Sequence, residues 1–151
     1  MVRGRFYSGQ DDLTDILNIR RQVFVEELQI SADVEDDGRD AYCMHVIALD
    51  GETPVAMGRI SYDGFEFEIS RVAVLPEYRC KKFGDFIVRM LIDKAMMSQA
   101  TEVCLDAFEE NIPFFETIGF VAKGENGTLG DRKLVRMTLD TGSIHKCCNC
   151  K

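Results

Sequence analysis

The sequence predicts a mixed α/β domain, and three features of its 151 residues point to this class. Residues 65–75 alternate as a strand does, and from Phe83 onward apolar residues recur every three or four positions, as in a helix. Asp-Gly pairs at 50–51 and 63–64 mark turns between short strands. The sequence has no internal repeat and no linker, which favours a single domain over residues 1–140.

The elements are predicted in the order β-α-β-β-β-α-β-α-β-β. A short strand at 5–7 precedes a helix for which Ser8, Asp11 or Asp12 is the candidate cap. Residues 26–40 form an acidic loop with room for a short helical turn. The other predicted elements are strands at 45–50, 55–62, 65–75, 102–107, 120–125 and 133–139, a helix that begins at Phe83 and a helix over 112–118. The last two strands flank a turn with Asn126-Gly127 and Gly130, and their edges are candidates for pairing in a homodimer.

A basic loop joins the central strand to the central helix. Pro76 cannot donate to a sheet ladder and ends the strand, and the next residues include Arg79, Lys81 and Lys82. The first turn of a helix leaves backbone N–H groups without partners at the positive end of its dipole, so it attracts anions such as phosphate. The loop is therefore either a phosphate site or an ordinary solvated turn.

Composition excludes several classes of protein. The chain carries 26 acidic and 18 basic residues and a net charge of −8, which argues against nucleic acid as a partner and is compatible with a cationic substrate. It has no run of about 18 apolar residues that could span a membrane, and no apolar signal-peptide core at its N-terminus. We therefore expect a cytoplasmic protein.

The six cysteines fall into two groups. Cys104 sits in an apolar strand pattern, where a buried reduced thiol is expected, and Cys43 and Cys80 are scattered. Residues 141–151 form a tail in which three cysteines follow a histidine: His145, Cys147, Cys148 and Cys150. Structural zinc sites usually take ligand pairs from two separated segments, so we expect an oxidation-prone tail and no metal site.

Several segments of the chain resemble the GCN5-related N-acetyltransferases. The loop RCKKFG at 79–84 resembles the acyl-CoA loop of that family, Q/R-x-x-G-x-G/A, with Lys82 in place of the middle glycine. SRVAVLPEY at 70–78 is similar to the segment that leads into this loop, and NIPFFETIGF at 111–120 is similar to a later family segment. RQVFVEE at 21–27 resembles a small-molecule-type branch, so the resemblance covers most of the chain.

The resemblance implies a fold and a reaction. The fold is a mixed sheet of about seven strands, splayed between strands 4 and 5 and flanked by helices. The reaction is transfer of an acetyl group from acetyl-CoA to a primary amine of a small molecule, by direct attack in a ternary complex. The residues that the resemblance assigns to acetyl-CoA are Val72, Ala73, Val74, Arg79, Cys80, Lys81, Lys82, Phe83, Gly84, Asn111 and Phe115.

The resemblance also assigns catalytic and acceptor-binding residues. Glu68 lies eleven residues before the arginine of the loop, the spacing of the general-base glutamate in the histone-acetylating branch, and Glu66 is the reserve. The backbone N–H of Val74 would polarise the thioester carbonyl. Glu26 and Glu27 lie where the family borders its acceptor, unless they belong to a solvated acidic loop. Strand alternation places three residues on the face of Glu68: Ser70, Val72 and Val74.

Two positions depart from the family pattern. Phe115 stands where the family has a tyrosine as its usual general acid, and a phenyl ring cannot donate a proton, which leaves Tyr78 and Tyr62 as candidate replacements. Lys82 disfavours a left-handed backbone, although its charge suits a cofactor phosphate. The alternatives are a non-catalytic acyl-CoA-binding module and an unrelated nucleotide binder, for which the sequence lacks both G-x-x-x-x-G-K-S/T and G-x-G-x-x-G.

Overall fold

A sheet of seven strands runs through the computed structural model, which describes residues 1–142. The strands are β1 (Val2–Ser8), β2 (Met44–Asp50), β3 (Thr53–Tyr62), β4 (Phe67–Val74), β5 (Glu102–Phe108), β6 (Val121–Leu129) and β7 (Arg132–Asp140). Their order in the sheet is β1-β2-β3-β4-β5-β7-β6, and every neighbouring pair is antiparallel except β4–β5. The predicted mixed α/β class is confirmed. The cluster of His145 and three cysteines in the tail lies outside the described residues.

Helices cover both faces of this sheet. They are α1 (Thr14–Arg20), α2 (Ala32–Glu35), α3 (Phe83–Met97) and α4 (Ile112–Ile118). Ile87 and Leu91 of α3 pack with Val46 of β2 on one face, and Ile16 of α1 packs with Ile47 of β2 on the other. Because neighbouring residues of a strand point to opposite faces, the continuous apolar run of β2 contributes to both cores. Across residues 1–142, no helix has the length and apolar character needed to cross a membrane.

The first helix continues beyond α1 as a wider π-helical segment, Arg21–Glu27. The N–H of Leu28 donates to the carbonyl of Val23, five residues earlier, at 3.0 Å. This turn places Val23 and Phe24 in the core beside α1. The acidic loop predicted from Glu26 therefore begins only after this segment, because burial of its apolar residues holds the turn helical.

The turn predicted at Asp63-Gly64 is confirmed, whereas Asn126-Gly127 does not form the last turn. Oδ1 of Asp63 accepts the N–H groups of Phe65 and Glu66 at 2.8 Å each, which closes the loop between β3 and β4. Asn126-Gly127 lies inside β6, where the pairing with β7 shifts register. Gly127 allows this irregularity with a φ of +80°, and the chain turns instead at Gly130.

Candidate active site

A gap opens in the sheet between β4 and β5. The two strands pair over three residue pairs, which join residues 67–69 of β4 to residues 103–105 of β5. β4 continues to Val74 and β5 to Phe108, and over these second halves the two strands diverge. This gap is the predicted splay between strands 4 and 5.

A β-bulge in β4 sets the direction of the side chains beside the gap. The pairing with β3 shifts register there, and Arg71 has a left-handed backbone with a φ of +53°. Glu68 and Ser70, before the bulge, share one face, whereas Val72 and Val74 pack against the core on the face of α3. The predicted alternation, which put all four on one face, is therefore wrong, because the extra residue reverses it.

Two cavities meet in this gap. The larger, here called the groove, has a volume of about 930 Å³ and runs along the second half of β4, residues 79–84 and the start of α3. The smaller, here called the Glu68 cavity, has a volume of about 260 Å³. The residues that line both cavities are Phe24, Val72, Phe108, Asn111 and Phe115. A long ligand in the groove can therefore contact a second ligand in the Glu68 cavity.

All but one of the residues assigned to acetyl-CoA line the groove: Val72, Ala73, Val74, Arg79, Cys80, Lys82, Phe83, Gly84, Asn111 and Phe115. The exception is Lys81, whose Nζ lies 5.6 Å from the centroid of the Tyr78 ring. Lys82 has a left-handed backbone with a φ of +68°, so this lysine does not exclude the conformation, although it adopts it under strain. The carbonyl of Lys82 accepts the N–H of Phe86 at 3.0 Å, and this first bond of α3 holds the strained backbone in place.

The groove offers backbone N–H groups at two places. The N–H of Leu75 donates to the carbonyl of Val55 in β3 at 2.9 Å, so the alternation of an antiparallel pair directs the N–H of Val74 away from β3, towards the gap. The first turn of α3 presents N–H groups at the other end of the groove. Gly84 allows this turn to pack closely against Phe114, since a Cβ at this position would lie 3.3 Å from the Phe114 ring. Such donors can bind a carbonyl and a phosphate.

A bidentate ion pair joins the loop to the π-helical segment. Both terminal nitrogens of Arg79 donate to the carboxylate of Glu27 at 2.6 Å, and its Nε donates to the carbonyl of Val74 at 3.0 Å. The hydrogen bond from Arg79 lowers the pKa of Glu27 below its ordinary value. Glu27 thus lines the groove, while Glu26 pairs with Arg21 at 3.1 Å and lines neither cavity. The structure does not bring these two glutamates to the Glu68 cavity.

The carboxylate of Glu68 lies between two arginines. Oε1 is 3.3 Å from Nη1 of Arg39, and Oε2 is 3.4 Å from Nη2 of Arg136. The side chain is 22% exposed and lines the Glu68 cavity, where a ligand can reach it. Glu66, the reserve base, is exposed and lines a separate cavity of about 560 Å³ with Tyr62, at the start of β4. The structure therefore separates the two glutamates.

A buried ion cluster lies against the Glu68 cavity, and sequence reasoning missed it. Arg59 is 1% exposed, and its guanidinium donates to both oxygens of Asp37 at 2.6 and 2.9 Å, to Asp40 at 2.9 Å and to Ser70 at 2.9 Å. Burial by itself raises the pKa of Asp37, but hydrogen bonds and the charge of Arg59 hold it well below its ordinary value. The sequence does contain a signal for this cluster: an arginine within an apolar strand, preceded by an acidic stretch. A buried cation requires a counterion, so this pattern could have predicted the ion pairs.

Three aromatic residues bear on the question of a general acid: Phe115, Tyr78 and Tyr62. Phe115 is buried where the two cavities meet, with its ring edge-on to Phe114 at 5.0 Å between centroids. Tyr78 lines the groove and packs edge-on against Phe83. Tyr62 lies at the separate cavity, where its hydroxyl donates to the carbonyl of Gly64 at 2.9 Å. Of the two replacement acids, the structure therefore places Tyr78 alone in the groove.

Comparisons with known proteins identify the family. The model of the acetyltransferase (GNAT) family matches residues 13–120. The chain is 29% identical to the uncharacterized N-acetyltransferase YjcF of Bacillus subtilis (strain 168) over 112 residues, which are 74% of this chain and 80% of that protein. Its fold matches an acyl-CoA N-acyltransferase from Pseudomonas aeruginosa with a TM-score of 0.82 at 22% identity, covering 92% of this chain and 99% of that one. It also matches the PaiA N-acetyltransferase of Thermoplasma acidophilum, solved in complex with coenzyme A, with a TM-score of 0.72 at 15% identity over 93% and 99% of the two chains. The chain therefore belongs to the acetyltransferase (GNAT) family, and its class of reaction is acyl transfer from an acyl-CoA.

Proposed function

We propose that this chain transfers an acetyl group from acetyl-CoA to a primary amine of a small molecule, with both substrates bound in a ternary complex. The observation that carries the proposal is the junction of the groove and the Glu68 cavity at Val72 and Phe115. Acyl transfer requires a thioester and an amine to be held in contact, and two adjoining cavities can hold one of them each.

The groove has the donors that acetyl-CoA needs. The first turn of α3 and the side chain of Lys82 provide positive charge and N–H groups for a pyrophosphate. Along β4, the N–H of Val74 is directed towards the gap, where an extended pantetheine arm can pair with the strand. The coenzyme A complex of the PaiA neighbour supports the same ligand in this groove.

In the proposed reaction the amine attacks the thioester directly. The nitrogen lone pair forms a C–N bond with the carbonyl carbon, the C–S bond breaks, and coenzyme A leaves as the thiolate. The proton of the nitrogen passes to the carboxylate of Glu68, directly or through water, and is then lost to solvent or to the thiolate. The N–H of Val74 stabilises the negative charge that develops on the carbonyl oxygen.

The cysteines support direct attack over a covalent enzyme intermediate. Burial raises the pKa of Cys104 to about 11 and also raises the pKa of Cys43, so both thiols stay protonated at neutral pH. Neither residue lines the groove or the Glu68 cavity. Cys80 does line the groove, but it lies in the loop proposed for phosphate, away from the junction.

Phe115 favours a second candidate function, a non-catalytic acyl-CoA-binding module. This residue lines the junction, and its ring cannot protonate a leaving thiolate. A thiol with a pKa of about 8.5 leaves without strong acid help, so water or Tyr78 suffices for the catalytic proposal. Turnover separates the two functions.

The test is turnover of acetyl-CoA with a panel of primary amines, with both products followed by mass spectrometry. Glu68→Gln keeps the size of the side chain and removes its basicity, so we expect its kcat to fall at least about tenfold. Glu66→Gln is the matched control, because Glu66 lines the separate cavity. Activity that survives in Glu68→Gln would remove Glu68 as the base. Tight binding of acetyl-CoA without product from any amine would favour the binding module.

A further inference from the structure

Two of the arginines that line the Glu68 cavity, Arg59 and Arg71, differ in how completely their donors are paired within the protein. Arg59 donates to Asp37 and Asp40 through its terminal nitrogens. Arg71 donates to Glu35 through Nε, to the carboxylate at 2.9 Å, and through Nη2, to the backbone carbonyl at 2.8 Å. Its Nη1 makes no hydrogen bond with any of residues 1–142, so two N–H donors are available to a ligand.

Arg71 also shares its neighbouring carboxylates with other arginines, since Oδ2 of Asp37 lies 3.7 Å from its Nη2 but 2.6 Å from Nη2 of Arg59. Its side chain is 11% exposed and lines the Glu68 cavity. Oε2 of its counterion Glu35 is shared with Arg20, which donates to the same oxygen at 2.9 Å. Burial lowers the pKa of Arg71 below its ordinary value, and the positive charge of Arg59 acts in the same direction. An anion beside Nη1 would stabilise this guanidinium.

The backbone holds Arg71 next to the junction of the two cavities. Arg71 has a φ of +53° and lies in the bulge of β4, directly before Val72, which lines both cavities. Left-handed backbones at residues other than glycine are strained, and such residues cluster at functional sites. The unpaired nitrogen therefore belongs to a residue adjacent to the place proposed for the reacting thioester.

We infer that the acceptor is an amine that carries an acidic group, as an amino acid does, and that this anion binds Nη1 of Arg71 while the amine faces Glu68. The inference rests on the proposed function and names its substrate class. Glu68 lies three residues before Arg71, so the backbones of these two residues are roughly 10 Å apart along the strand. Hydrogen bonds of about 3 Å at each end leave space between the two side chains for a short molecule.

Size and charge both disfavour a polyamine in this cavity. A volume of about 260 Å³ is small for a ligand pocket, since pockets for drug-sized ligands have roughly 300–1,000 Å³. A second cationic group would lie against Arg71, where burial and the charge of Arg59 already disfavour the positive charge of the guanidinium. The acidic composition of the chain as a whole, which was compatible with a cationic substrate, therefore does not describe this cavity.

The test compares initial rates for alanine, alaninamide, ethylamine and 2-aminoethyl phosphate at saturating acetyl-CoA. Alaninamide and ethylamine both lack the anion but differ in the basicity of their amines. Comparing these two shows how far amine basicity alone sets the rate. We expect kcat/KM for one of the two acidic amines to exceed that of both others at least about tenfold, the effect of one hydrogen bond to a charged group. The rates show whether a carboxylate or a phosphate is preferred.

In Arg71→Met we expect the ratio of kcat/KM between acidic and neutral amines to fall to about one. Neutral amines that react as well as acidic ones, or a ratio that survives in Arg71→Met, would overturn the inference.

A binding measurement tests the inference independently of turnover. Calorimetry with protein saturated by coenzyme A compares N-acetylalanine with N-ethylacetamide, which differ in the carboxylate. We expect the acid to bind wild type and Arg3→Met, whose arginine pairs with Glu52 at the sheet edge, but not Arg71→Met. Equal binding of the two compounds to wild type would overturn the inference. If no amine is acetylated and binding still depends on Arg71, the catalytic proposal fails and the anion site stands.

A folding control accompanies both measurements. Arg71 also binds Glu35, so each variant is checked by thermal melting. Where Arg71→Met does not fold, Arg71→Lys replaces it, because lysine keeps the positive charge but has no second terminal nitrogen. The preference for acidic amines should then weaken in the folded Arg71→Lys protein, and an unchanged preference would contradict the role of Nη1.

Discussion

Arg59→Met should be the most destabilising single change at the Glu68 cavity. The guanidinium is 1% exposed and joins Asp37 and Asp40, which precede β2, to Ser70 on β4. Removing one partner of a buried ion pair costs about 3–5 kcal/mol, because the other charge is left without compensation. Asp40 keeps Arg20 as a partner at 2.6 Å, and Asp37 keeps Arg71 at 3.7 Å and is 26% exposed, so these partners and solvent offset part of the loss. We therefore expect the low end, about 3 kcal/mol.

This loss should be visible in melting and urea unfolding. A domain of this length loses roughly 2–4 °C of melting temperature per kcal/mol, so Arg59→Met should melt about 6–12 °C below wild type. Total stabilities of about 5–15 kcal/mol leave the variant folded at 25 °C. Arg3→Met, which breaks the exposed pair with Glu52, should cost at most about 1 kcal/mol and serves as the control.

A second variant separates the orphaned charge from the lost packing. In Arg59→Met with Asp37→Leu the uncompensated carboxylate is gone, and replacing a buried ion pair by apolar residues is often neutral. We expect urea unfolding to recover at least half of the loss. A cost below about 1 kcal/mol for Arg59→Met, or no recovery in the double variant, would refute the view that a buried charge network holds this side of the cavity.

Three further changes test other parts of the molecule. Burial lowers the pKa of His45, so between about pH 6.5 and its lower folded pKa the unfolded chain binds a proton that the folded chain does not, and stability falls as the pH is lowered through this range. His45→Gln should flatten this part of the melting profile, whereas the loss from Asp37, whose folded pKa is depressed, should begin near pH 4 and remain. Tyr78→Phe should lower kcat at least about tenfold if its hydroxyl protonates the leaving thiolate, whereas Tyr62→Phe should not. Lys82→Gly should raise the melting temperature by about 2 °C, because glycine adopts the left-handed backbone without strain.

Each of these changes has an outcome that contradicts it. A His45→Gln protein with the full pH dependence of wild type between about pH 5 and 7 would place the titration on another group. Equal rates for Tyr78→Phe and wild type would assign protonation of the thiolate to water. A Lys82→Gly protein that melts below wild type would show that the lysine side chain stabilises the loop by more than its backbone strain costs.

Local patterns in the sequence were sufficient for the elements and for the groove. Pro76 ends a strand because it has no N–H to donate to a sheet ladder, and the apolar spacing from Phe83 is long enough to specify a helix. The strand, loop and helix that frame the groove therefore follow from neighbouring residues. The acyl-CoA loop motif accepts only glycine or alanine at its last position, where this chain has Gly84, and the structure places this glycine against Phe114.

Features that depend on distant residues could not be predicted in this way. The bulge at Arg71 arises from the register between β3 and β4, so alternation along β4 alone put Val72 and Val74 on the wrong face. Glu27 has the charge expected of an acceptor site, but its partner Arg79 lies 52 residues away in the chain and places it at the groove. The unsatisfied nitrogen of Arg71 appears only when all its neighbours are known.

Hydrogen exchange with and without coenzyme A tests the position of the cofactor most directly. The N–H of Val74 points into the gap, and the first turn of α3 has unpaired N–H groups, so coenzyme A should slow exchange at both places. Thr101, which lines the separate cavity, should exchange at the same rate in both samples. Protection of Val74 and of residues 80–85 is the result we expect. Protection confined to the separate cavity, or no protection along β4 and the loop, would contradict a cofactor site in the gap between β4 and β5.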